Sequence, residues 1–148
     1  MTTITETLSE KHAYCDALFA EVEAQVANAH WDLVTTGFTG FINAMEQHFA
    51  TEEQILFPTF EEQTGHTAGP TQVMRFEHEQ MRQLFKEMQD SVAQQDSNQY
   101  LGLSETLLML MRQHNAKEEQ ILYPMTDQVL GTEAPIILER MRKLEKSL

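Results

Sequence analysis

Two eleven-residue stretches of this chain carry the same potential metal ligands in the same order. The first, His48-Phe49-Ala50-Thr51-Glu52-Glu53-Gln54-Ile55-Leu56-Phe57-Pro58, returns 66 residues later as His114-Asn115-Ala116-Lys117-Glu118-Glu119-Gln120-Ile121-Leu122-Tyr123-Pro124. The same shift lays His12 on His78 and Leu18-Phe19 on Leu84-Phe85, so the repeat reaches well beyond the motif. Each half therefore offers one histidine followed by a His-x-x-x-Glu. Imidazole nitrogens with carboxylate oxygens suit iron, manganese or zinc rather than calcium or copper(I). On a helix, residues four apart share a face, which pairs His48 with Glu52 and His114 with Glu118.

The elements that must position these residues follow from apolar periodicity. Leu8, His12, Cys15, Leu18/Phe19, Val22 and Val26 recur every three or four residues and predict a first helix over about 6–29. Phe38, Phe41/Ile42, Met45, His48/Phe49, Glu52 and Ile55/Leu56 draw a second stripe, which Pro58 should kink, leaving 58–63 as a bent extension. Turn chemistry over 64–70 precedes a third helix carrying Met74, His78, Met81, Leu84/Phe85, Met88 and Val92. After the capping residues Asp96-Ser97-Asn98 comes a fourth, with Leu107/Leu108, Met111, His114, Glu118, Ile121/Leu122 and Met125, and a short packing helix is expected over about 133–146. The expected architecture is all-α: an up-down-up-down four-helix bundle with a short C-terminal helix, one domain over 1–148 with its core at about 6–127.

Antiparallel neighbours bring all six candidate residues to one height. His12 and His48 lie equally far from the first turn near position 30, His78 and His114 equally far from the third near 96, and the middle pair straddles the turn near 64. At 1.5 Å per residue the level lies roughly 27 Å from the first turn. His48, Glu52, His114 and Glu118 fall within apolar stripes, and a buried carboxylate costs several kcal/mol unless it is paired or metal-bound. A single His-x-x-x-Glu in a core commonly satisfies itself by hydrogen bonding. Four histidines and two glutamates converging at one level point instead to two metals bridged by Glu52 and Glu118.

The pattern resembles the hemerythrin-like family of His/Glu cation-binding domains over residues 6–127. That resemblance implies a non-haem di-iron centre in the bundle, with His12 and His48 on one iron, His78 and His114 on the other, and Glu52 and Glu118 as bridges. The oxygen-carrying members have a second histidine one turn along the third helix where this chain has Arg82, and a His-x-x-x-x-Asp where it has His114-x-x-x-Glu118. Both departures resemble the more symmetric branch of the family. They imply near-equivalent irons, each with two His, two bridging Glu and a solvent bridge, leaving one open position.

A net charge of −13 argues against nucleic-acid and anionic-membrane partners. The lone Cys15 and the absence of a long apolar run or a signal-like N-terminus lead us to expect a cytoplasmic protein. His30 and His66 are expected as exposed turn residues; Cys15, one turn from His12 and within reach of a metal, is expected as a core filler because its repeat partner is Met81; Tyr14 and Tyr123 are candidate redox or hydrogen-bonding neighbours, with packing preferred because Phe57 matches Tyr123. Gly37 and Gly40 suggest close packing or a small-molecule path. The leading functional expectation is binding or sensing of a small neutral diatomic ligand (O2 or nitric oxide) or peroxide at an open iron position. Zinc or manganese fits the same donors. The alternatives are an iron-handling or iron-donating protein, a small di-iron reductase served by an external electron donor, and a purely structural bundle. Oligomeric state is not legible. Iron reconstitution should give two metals per chain, because six converging ligands exceed one tetrahedral zinc site. Glu52→Ala or Glu118→Ala should lose the coupled pair and His30→Ala or His66→Ala should keep it; one metal in the parent chain would defeat this reading.

Overall fold

The structure is a computed structural model describing residues 2–148. Seven α-helices follow one another: α1 Ile4–Ala27, α2 Trp31–Thr51, α3 Phe57–Thr64, α4 Pro70–Gln94, α5 Ser97–Lys117, α6 Tyr123–Leu130 and α7 Ala134–Ser147. No strand occurs among the described residues. Helices α1, α2, α4 and α5 form the expected four-helix bundle. α3 and α6 prolong α2 and α5 beyond the site, and α7 lies back against α2. No helix among the described residues is long and apolar enough to cross a membrane.

The expected kink at Pro58 takes a different form. The chain passes from α2 into α3 through a π-turn, Glu52–Leu56, and from α5 into α6 through its repeat, Glu118–Leu122. Proline has no N–H to donate back along the helix, so the helix preceding it must rearrange its bonding. The Phe57 and Tyr123 N–H groups donate five residues back, to the Glu52 and Glu118 carbonyls. In an α-helix the residue five along is rotated about 140° from the first. Closing the ring at five instead stacks Phe57 over Glu52 and Tyr123 over Glu118, on the core face.

The core falls into two apolar bodies with the candidate site between them. One, toward the short turns, contains Phe19, Phe38, Phe41, Phe85, Met88, Leu107 and Met111. The other, toward α3, α6 and α7, contains Ile4, Leu8, Leu56, Phe60, Met74, Leu122 and Ile137. Asp127 in α6 ties α1 to this second body, accepting from the Ile4 and Thr5 N–H groups and the Thr5 hydroxyl at 2.7–3.1 Å. Gly37 serves close packing: a Cβ there would stand 2.8 Å from Gln25 Oε1, whereas Gly40 has open space around it.

The repeat extends to the turns. Ala29 and Gln95, 66 residues apart, both adopt left-handed backbone, at φ 55° and 53°. His30 N donates to Gln25 O and Asp96 N to Ser91 O, both at 2.9 Å, which is the six-to-one closure of a helix C-terminus. An L-residue pays roughly 1–2 kcal/mol for left-handed geometry that glycine adopts freely. Ala29→Gly and Gln95→Gly should therefore each raise unfolding free energy by about 1 kcal/mol in denaturant titrations; a loss of stability in both would contradict this account of the turns.

Candidate metal centre

His12, His48, Glu52, His78, His114 and Glu118 are all buried and meet in one layer of the bundle. Two overlapping groups of donor atoms form there: Glu52, His78, His114 and Glu118, and alongside them His12, His48 and Glu118. His12 Nε2 is 3.0 Å and His114 Nε2 3.1 Å from Glu118 Oε1, while His48 Nε2 is 3.4 Å and His78 Nε2 3.3 Å from Glu52 Oε1. Ligands at right angles around a metal held about 2.1 Å away stand about 3.0 Å apart, and tetrahedral ones about 3.4 Å. The spacing therefore matches atoms that share a common ion.

Hydrogen bonding within the layer accounts for only part of this convergence, pairing His12 Nε2 with Glu118 Oε1 at 3.0 Å. Glu52 Oε1, His78 Nε2, His114 Nε2 and Glu118 Oε2 are buried without a hydrogen-bond partner among the described residues, although donors and acceptors lie within reach. They point at shared space rather than at one another. Leaving such groups unsatisfied costs about 1–3 kcal/mol each, a cost that coordination to a cation would offset.

A second ring of residues orients the first. His12 Nδ1 donates to Glu119 (2.8 Å), His78 Nδ1 to Glu53 (2.7 Å) and His114 Nδ1 to Glu77 (2.8 Å). Because a carboxylate only accepts, each of these imidazoles carries hydrogen on Nδ1 and turns Nε2 toward the layer. The bonds to Glu53 and Glu119 are reciprocal. The second glutamate of each Glu-Glu doublet holds the lone histidine of the other half. Arg82, in sequence merely the absence of a histidine, binds Glu53 through Nη1 and Nη2 at 3.0 Å and reaches Glu46 at 2.8 Å.

Sequence reasoning preferred packing for Tyr123 over a hydrogen-bonding role, and the structure favours the latter. Its hydroxyl lies 2.8 Å from Glu52 Oε2, 2.9 Å from Glu118 Oε1 and 3.1 Å from His12 Nε2, inside the layer. Phe57, its repeat counterpart, has no hydroxyl to enter the layer and stacks on His78, at 5.9 Å between centroids. The surroundings of the two halves are thus unequal, contrary to the near-equivalence expected. Cys15 is a buried core residue, Tyr14 is exposed, and His30 and His66 are exposed turn residues away from the layer.

The charges follow from this packing. Burial opposes a proton on His114, but the negative Glu118 beside it and the bond to Glu77 outweigh it and raise its pKa to about 10. Burial dominates at His48, lowering its pKa to about 3 against the pull of Glu52. Burial also disfavours the charged form of Glu53, but hydrogen bonds from His78 and Arg82 prevail and bring it down to about 2. In metal-free protein the His114 proton stabilises the fold fully below pH 6.5, and that contribution is lost as pH rises toward 10. Melting temperatures of metal-free protein should fall more steeply between pH 7 and 10 than those of a His114→Gln variant; identical slopes would place the proton elsewhere.

Residues 3–126 match the family model described as the hemerythrin HHE cation binding domain. No curated protein and no solved structure matches the chain significantly.

Proposed function

Since this chain belongs to the hemerythrin HHE cation-binding domain family, we propose that it is a non-haem di-iron protein that binds or senses a small neutral ligand. The observation that carries this reading is the buried layer of four imidazoles and two carboxylates standing 3.0–3.4 Å apart, in which Glu52 Oε1, His78 Nε2, His114 Nε2 and Glu118 Oε2 lack hydrogen-bond partners among the described residues. His12 and His48 would hold one metal, His78 and His114 the other, with Glu52 and Glu118 between them. Bound iron would supply a redox-active centre able to take a diatomic molecule or peroxide at an open position.

The chain's own residues do the rest. Glu53, Glu77 and Glu119 fix imidazole orientation, and the apolar bodies above and below keep bulk water from the layer. A cavity of about 40 Å³ between α1 and α2, lined by Lys11, Tyr14, Cys15, Ala44, Gln47, His48 and Glu145, reaches the layer's edge at His48. A water needs about 10–15 Å³ of such space, so this cavity has room for a diatomic molecule. The net charge of −13 also disfavours anions at low salt.

Anaerobically prepared diferrous protein should change its optical spectrum on mixing with O2 or nitric oxide. A spectrum indifferent to both would remove the ligand-binding reading and leave iron handling or a structural role.

A further inference from the structure

The two halves of the layer differ in four independent ways, and all four favour the same side. At the His78/His114 side both bridging carboxylates converge with both histidines, whereas at the His12/His48 side only Glu118 does. His78 is stacked by Phe49 at 3.9 Å, with Phe57 also stacked on it; His12 has Tyr123 at 5.5 Å, and the counterpart of Phe49 is Asn115. Glu53, which holds His78, is clamped by Arg82, itself over the Phe49 ring. Glu119, which holds His12, is more exposed (38% against 22%), and Asp16 occupies the position equivalent to Arg82.

The fourth difference is the sharpest. Glu77 orients His114 and is in turn paired with Lys117. The residue equivalent to Glu77 in the first half is Lys11, a cation that cannot accept a hydrogen bond. His48 Nδ1 is accordingly buried without a partner among the described residues, and Lys11 turns to Glu145 of α7 at 3.0 Å. Lys11, His48 and Glu145 line the same 40 Å³ cavity.

We propose that the chain holds its two metals unequally: the position between His78 and His114 fills first and retains its ion, while the position between His12 and His48 fills second and exchanges. Lys11 in place of a glutamate is the principal cause, and the α1/α2 cavity is the route by which the second ion and any small ligand arrive. The inference rests on the two-metal reading above and adds an order of filling to it. A carboxylate that orients a ligating histidine is worth about 10- to 100-fold in metal affinity, so the two steps should be separated by about that factor.

Anaerobic Fe(II) titration of the full chain by calorimetry tests this. The expected result is two resolved steps. His48→Ala should abolish the weaker and leave the tighter, and His114→Ala should do the reverse. The double variant Lys11→Glu/Glu145→Lys keeps the α1–α7 ion pair and reproduces the Glu77–Lys117 arrangement beside His48. It should strengthen the weaker step at least several-fold while leaving the tighter one unchanged. Circular dichroism melts verify that each variant is folded, and a misfolded double variant leaves the His48→Ala and His114→Ala pair to decide. Two equal steps in the parent chain, or loss of the tighter step in His48→Ala, would overturn the proposal. Fewer than two ions bound at saturation would overturn the two-metal reading itself.

Discussion

Four imidazoles and two carboxylates share one buried layer, and much of the fold answers to the cost of putting them there. Polar groups of this kind are costly in a core unless their atoms find partners. The helices bring them together by length: α1, α2, α4 and α5 each run far enough past their turns to deliver a histidine at the same height. The hydrophobic core is divided in two as a result, with the polar layer as the partition. The π-turns belong to the same solution, because they bring Phe57 and Tyr123 round to the face from which Glu52 and Glu118 point inward.

The second ring of residues shows how such a layer is stiffened. A histidine in a helix bundle can rotate about two side-chain bonds, and a carboxylate on its far nitrogen removes that freedom while selecting the tautomer. Three of the four histidines are treated this way. The fourth, His48, has no carboxylate on Nδ1 among the described residues, and it lies beside a small opening lined by residues of α1, α2 and α7.

Much of this was legible in the sequence because its signal is periodic. The apolar stripes located the bundle helices to within a few residues, and the 66-residue repeat, combined with the rise of a helix, placed His12, His48, His78 and His114 at one level. The second ring was legible in principle and was overlooked. Glu53 and Glu119 stand as doublets beside Glu52 and Glu118, and laying one half on the other sets Lys11 against Glu77 and Asp16 against Arg82. Tyr123 escaped for a different reason. Its match to Phe57 implied packing, but the π-turn that carries its hydroxyl into the layer depends on how a helix absorbs a proline, which periodicity does not encode. The left-handed backbone at Ala29 and Gln95 was hidden as well, since neither residue is glycine or asparagine.

The reciprocal bonds, Glu53 to His78 and Glu119 to His12, have a topological consequence. Neither half of the chain can complete the layer from its own residues, because each supplies the support that the other's histidine requires. A two-helix chain of half this length would meet the same need by pairing with a copy of itself about a two-fold axis, an isologous association in which one contact is made twice. Joining the copies into one polypeptide removes the obligation that both be identical. Only then can a lysine stand at position 11 while a glutamate stands at 77, and a phenol at 123 while a plain ring stands at 57. The covalent link is what permits a symmetric scaffold to hold two dissimilar ends.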